Sequence, residues 1–145
     1  MHKNVYASGF IYNPKSEQIL LQQKKSADGN VVWSLLIQKM TENKTGEETF
    51  RDLFFEKLGI KLKLRGVNLI YNYYNKEKDA SYNLYYAEVK SLRKLPETAK
   101  NNFAWFSFKQ VQKLDLSEQS KHDVTVGIRV IDSSIRKSLG QQTIG

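Results

Sequence analysis

Glu48, Asp52 and Glu56 recur every fourth residue, and Lys39, Lys44 and Lys57 lie around them in the chain. On a helix a four-residue step places side chains along one ridge. Carboxylates aligned in that way can hold a hard divalent cation such as Mg²⁺, which prefers oxygen ligands in an octahedron. The same ridge can equally be a solvated face, and Glu48 has a local use of its own. Thr45-Gly46-Glu47-Glu48 has the form of a capping box, in which Thr45 and Glu48 each satisfy the other's backbone amide. The lysines suggest the opposite chemistry, because an ammonium group is a competent point-charge partner for phosphate.

Other chemistry is thinly represented. His2 and His122 have no partner at metal-ligand spacing. No GxSxG, HExxH, Walker A or GxGxxG pattern is present. The absence of cysteine excludes disulfides and thiolate metal sites. Tyr71, Tyr73, Tyr74, Tyr82, Tyr85 and Tyr86 fall on two adjacent β-like segments. Aromatics on a sheet can stack a nucleobase, or can simply pack on one another across strands.

The elements that would position these residues follow from patterning. Val5 to Tyr12 and Gln18 to Lys24 read as strands joined by an Asn13-Pro14-Lys15-Ser16 turn. A turn at Ala27 to Asn30 precedes one extended run from Val31 to about Gln38. The capping box opens a helix with Phe50, Leu53, Phe54 and Leu58 at helical spacing, and Gly59 is its expected stop. Ile60 to about Asn75 and Tyr82 to Lys90 read as strands around a polar turn at Lys76 to Asp79, followed by a short strand at Asn102 to Phe108. A short helix is expected at Phe108 to Leu114. A long one is expected at Ser117 to Leu139, with an apolar stripe of Val124, Ile128, Ile131, Ile135 and Leu139.

Laid without a gap on residues 38–60, the chain resembles the Nudix box, G-x5-E-x7-R-E-U-x-E-E-x-G-U with U a bulky aliphatic residue. Phe54, Glu56, Gly59 and Ile60 meet the pattern or nearly do. Gln38 stands at the first glycine, Lys44 at the first glutamate, Asp52 at the arginine, and Leu53 and Lys57 at two further glutamates. Trp33 to Met40 resembles the family's W-x-L-P-G-G-K-V entry to the box. Ala104-Trp105-Phe106-Ser107-Phe108, with Val111 and Leu114, resembles its late aromatic strand and short helix. The resemblance implies an α/β protein, a Nudix-like α/β/α sandwich with a mixed β-sheet between helices. Length and composition point to one domain over residues 1–140, with a flexible tail expected at 141–145.

In working members of the family, box-helix glutamates hold Mg²⁺ or Mn²⁺, which polarises a diphosphate linkage and helps to generate the attacking hydroxide. Here the positions at 44, 53, 56 and 57 carry a net positive charge where a full glutamate set would be strongly negative. An ammonium about 6 Å from a divalent ion repels it by roughly 5 kcal/mol at an effective dielectric of ~20. A lysine that swings its head into water sheds much of that, but it still supplies no ligand. No cofactor is therefore expected at the usual site.

Three functional readings remain open. The first is an impaired or inactive Nudix-fold protein that binds a nucleotide, an RNA phosphate or another phosphate-bearing ligand through Lys39, Lys44 and Lys57. The second is an active hydrolase of nucleoside-diphosphate-linked substrates, with Glu56 catalytic and Mg²⁺ or Mn²⁺ relocated to Glu56 and Asp52. The third is a protein-interaction module.

Composition bounds all three. The chain has 145 residues, 40% hydrophobic, enough for one core. A net charge of +8 draws polyanions, though the cations are scattered and form no dense run. There is no apolar run of membrane-spanning length and no secretory signal at the N-terminus, so a cytoplasmic setting is expected.

Overall fold

β1 (Val5–Asn13) is the axis of the sheet, because it is paired along both of its edges. The computed structural model describes residues 4–25, 27–90 and 102–144, with residues 135–144 as backbone alone. One edge of β1 lies parallel to β6 (Ala80–Glu88), from Val5 opposite Ser81 to Tyr12 opposite Glu88. The other edge is shared. β4 (Leu36–Lys39) runs antiparallel to Tyr6 through Gly9, and β2 (Gln18–Lys25) takes Tyr12 and Asn13. β2 in turn pairs with β3 (Val31–Ser34) and, on its opposite edge, with β7 (Phe103–Ser107). β5 (Val67–Asn75) closes the sheet antiparallel to β6. The result is a mixed seven-stranded sheet.

The run expected as one strand from residue 31 to 38 is two. β1 and β2 splay apart after their hairpin, and the chain bridges the gap. It pairs first with β2 and then, past Leu35, with β1. The strand expected from Ile60 begins instead at Val67, after a 3-10 turn at Leu64–Gly66. Ile60 is buried and Leu62 half-buried in the core, so this stretch packs its side chains rather than pairing its backbone.

Successive strand residues face opposite sides of the sheet. Ala7 and Ile11 pack beneath α1 (Gly46–Leu58) with Phe50, Leu53, Phe54 and Leu58. Phe10 and Tyr12 face the other way, toward α3 (Glu118–Ile144), with Leu21, Leu84, Val124 and Ile131. α2 (Phe108–Val111) is a single turn after β7.

α1 begins and ends on local signals. Thr45 Oγ1 accepts from the Glu48 amide at 3.1 Å, and Glu48 Oε1 accepts from the Thr45 amide at 2.9 Å. These bonds hold the Glu48 carboxyl below its ordinary range. Gly59 closes the helix with φ of 67°, a left-handed conformation that costs glycine least. Of the α3 stripe, Val124 and Ile131 are buried and Ile128 half-buried; the side chains of Ile135 and Leu139 lie outside the described residues. The α3 backbone is helical to Ile144, through most of the stretch expected as a tail.

Candidate functional site

The box helix presents its candidate residues in two directions. Leu53 points inward and is 2% exposed, on the same face as Phe50 and Phe54. Position 53 is thus a core position. Glu56 and Lys57 are exposed in the last turns of α1, and Glu56 makes no hydrogen bond or ion pair with a described residue.

Asp52 is engaged on both oxygens. Lys44 Nζ donates to Oδ2 at 2.6 Å and Arg51 Nε donates to Oδ1 at 3.0 Å. Its carboxyl is held below the usual range, first by the Lys44 hydrogen bond and then by Arg51, while Lys44 is raised by the same partner. Positions 44 and 52 are Glu and Arg in the box pattern and Lys and Asp here. They still form an ion pair, with the signs exchanged. A cation relocated onto Asp52 would have to displace two positive groups. Among the described residues, no three of His, Asp and Glu are grouped so as to hold a metal ion. One exposed carboxylate beside a buried leucine and two ammonium groups is a poor donor set for an octahedral Mg²⁺.

The three candidate lysines do not share one setting. Lys44 holds Asp52, and Lys57 is exposed on α1. Lys39 lies on β4, where Leu36 packs in the α1-side core. By strand alternation Ile37 and Lys39 face the α3 side, opposite Ser8 and Tyr6 of β1.

On that side lies a cavity of about 270 Å³ between β1, β4 and the start of α3. Lys24 and Lys78 contribute to its wall, and Lys78 Nζ donates to Gln119 Oε1 at 3.0 Å. Ser8, Ser34, Ser120 and Asp123 line it although each is buried. The Ser120 hydroxyl accepts from the Leu35 amide at 3.1 Å. Ser8, from β1, is 3% exposed and reaches the cavity from the sheet side.

Asp123 is 1% exposed and accepts from the Tyr71 phenol at 2.8 Å and the Tyr73 phenol at 3.0 Å. Burial pushes its carboxyl above the ordinary range, and the two phenols pull it partway back. The tyrosines are themselves ordered as a ladder across three strands. Ring centroids lie 5.3 Å apart for Tyr6 and Tyr82, 5.4 Å for Tyr82 and Tyr73, and 5.2 Å for Tyr73 and Tyr71. Tyr71, Tyr73 and Tyr82 of the aromatic run thus stack on one another and on Tyr6, and two of them hold Asp123, while Tyr85 packs on Phe50, Tyr86 on Phe10, and Tyr74 is half exposed. Sequence reasoning missed Asp123. An acid flanking the apolar stripe of α3 is the available signal, but its tyrosine partners are about fifty positions away and become visible only through the fold.

No sequence-family model and no curated protein matches the chain. Solved structures do. A mutT/nudix family protein from Listeria innocua superposes with a TM-score of 0.76 at 12% identity, over 93% of this chain and 98% of that one. The NUDIX domain of Shewanella oneidensis NrtR, complexed with ADP ribose, gives 0.70 at 12% identity, over 88% and 87%. The C-terminal domain of mouse MUTYH, in complex with human PCNA, gives 0.68 at 12% identity, over 90% of each. Described residues include no helix long and apolar enough to cross a membrane. The mixed sheet, the capped box helix and these superpositions together establish that the chain has the Nudix fold.

Proposed function

We propose that this chain binds a nucleotide-type, phosphate-bearing ligand in the cavity between β1, β4 and α3, without a divalent ion at the box helix. The observation that carries the reading is the cavity itself. It brings the Ser8 hydroxyl and the Asp123 carboxylate together with the cationic side chains of Lys24 and Lys78, with Glu118 as a second acid in the lining. The hydroxyl and the carboxylate offer hydrogen bonds to the ring and sugar of a nucleoside. The ammonium groups offer point charges to its phosphates. Lys39, two residues past Ile37 on the same sheet face, adds a further cation toward the loop before α1. The box helix contributes little to catalysis in this reading, since Leu53 serves the core and Asp52 is held by Lys44 and Arg51.

ADP-ribose is the probe of choice, because the Shewanella NrtR domain of the same fold is complexed with it. Calorimetry in EDTA is expected to show binding, with thermal stabilisation and no release of nucleoside monophosphate. Heat that appears only on adding Mg²⁺, or Mg²⁺-dependent turnover that Glu56→Gln abolishes, would favour the hydrolase reading instead. That reading rests on Glu56 alone, which is exposed and uncommitted.

A further inference from the structure

Among the described residues, β5 pairs only with β6, so its outer edge is open. A strand of nine residues with an unpaired row of N–H and C=O groups can accept another extended chain. Two surfaces beside that edge bear on what would bind there.

The first is apolar. Val67 belongs to the core beneath α1, so Leu69, two residues on, shares that face. Tyr73 turns to Asp123 on the α3 side, so Tyr74 returns to the α1 side. Leu69 and Tyr74 are each 50% exposed. Phe55 on α1 and Leu64 in the 3-10 turn are exposed as well.

The second surface is charged. A cavity of about 360 Å³ opens between the segment that leads into β5 and the end of β6, lined by Lys61, Lys63 and Lys90, with Glu88 as its acidic member. Arg65 adds a further exposed cation in the turn before the strand. An extended chain on this edge would therefore carry its apolar side chains past Leu69 and Tyr74 and would end against a cluster of ammonium groups. A second copy of this chain fits poorly. β5 contains no acid, and in antiparallel pairing the lysine-lined end would meet the 75–79 turn, Asn-Lys-Glu-Lys-Asp, which has no net charge.

We propose that the β5 edge docks an extended peptide segment of a partner protein. That segment has apolar side chains at alternate positions and a carboxylate-bearing residue at the end that meets Lys61, Lys63 and Lys90. The surface is separate from the ligand cavity, which lies on the α3 side.

The test uses the full chain labelled with ¹⁵N and two fluorescent peptides of alternating valine and threonine, one ending in two glutamates and the other in two lysines. The glutamate peptide is expected to bind and to shift amides of residues 67–75 while leaving those of 31–39 in place. Leu69→Asp and the double variant Lys61→Glu/Lys63→Glu are each expected to weaken it by about tenfold or more. Both substitute exposed side chains, and dispersed spectra verify that they fold. Equal binding of the lysine peptide, shifts confined to other strands, or unchanged affinity in both variants would overturn the proposal. So would an oligouridylate binding this edge where the glutamate peptide does not. A dimer in sedimentation that Leu69→Asp dissociates would overturn it too, by assigning the edge to a second copy.

Discussion

Position 53 shows how far a motif position can depart from its motif. The box pattern has a glutamate there, but this helix buries the side chain among Phe50, Phe54 and Leu58. Restoring the glutamate would place a carboxylate in the core without a partner. Leu53→Glu is expected to lose at least about 3 kcal/mol of unfolding free energy in urea, whereas Leu53→Met should lose less than about 1.5 kcal/mol. A folded, Mg²⁺-binding Leu53→Glu protein would show that the helix can turn that position outward. Positions 44 and 52 behave differently, because both partners changed. Lys44→Glu alone sets two carboxylates together and Asp52→Arg alone sets two cations together, so each is expected to lower the Tm. The double variant Lys44→Glu/Asp52→Arg should recover most of the loss, and additive losses would rule out the exchanged pair. Asp123 makes a pH prediction. Burial raises its carboxyl above the usual range, so the folded state binds that proton more tightly than the unfolded chain does. Stability from this group is therefore fully present below the unfolded value near ~3.9 and is lost as pH rises through the folded value. Urea titrations should show the stability difference between wild type and Asp123→Asn moving toward wild type as pH falls from about 7 to about 4. Movement in the other direction would mean that the phenol hydrogen bonds outweigh burial.

Elements whose boundaries are encoded locally were legible in the sequence. Thr45 and Glu48 mark the start of α1 and Gly59 its end, and Asn13 marks the first turn by accepting from the amides of Lys15 and Ser16. Elements whose boundaries depend on a partner were not. Val31 to Lys39 has no breaking residue at Leu35, and only the splay of β1 from β2 divides it. The candidate site divides along the same line. Glu56, Lys44 and Asp52 could be found by laying a motif on the chain. The Lys44–Asp52 contact needs the loop before α1 to turn back along the helix, and the tyrosine-held Asp123 needs segments about fifty residues apart brought together. β1 also contains a constraint that local pattern does not disclose. Gly9 has φ of 152°, and a Cβ there would lie 1.9 Å from the Tyr85 carbonyl oxygen of β6. Gly9→Ala must therefore push apart the central parallel pair, at an expected cost of about 2 to 4 kcal/mol. Wild-type stability in that variant would mean that β1 and β6 can separate without loss.

A molecule of net charge +8 attracts any polyanion, so affinity for phosphate alone would not distinguish a site from a field. The cavity offers the distinction, because its two kinds of group respond differently to salt. Lys24 and Lys78 act through charge, which added salt screens. Ser8 and Asp123 are buried, and short hydrogen bonds made in a buried site are screened far less. Pyrophosphate offers almost no donor to the Asp123 carboxylate, whereas the hydroxyl and amino groups of ADP-ribose can donate to it. In EDTA, raising NaCl from about 50 to about 300 mM is expected to abolish thermal stabilisation by pyrophosphate while leaving part of that by ADP-ribose. Lys24→Ala should reduce the low-salt stabilisation by both ligands, and Ser8→Ala should reduce only the portion that survives salt. If the two ligands stabilise equally at every salt concentration, the cavity recognises nothing beyond charge, and the nucleotide reading fails while the Nudix fold stands.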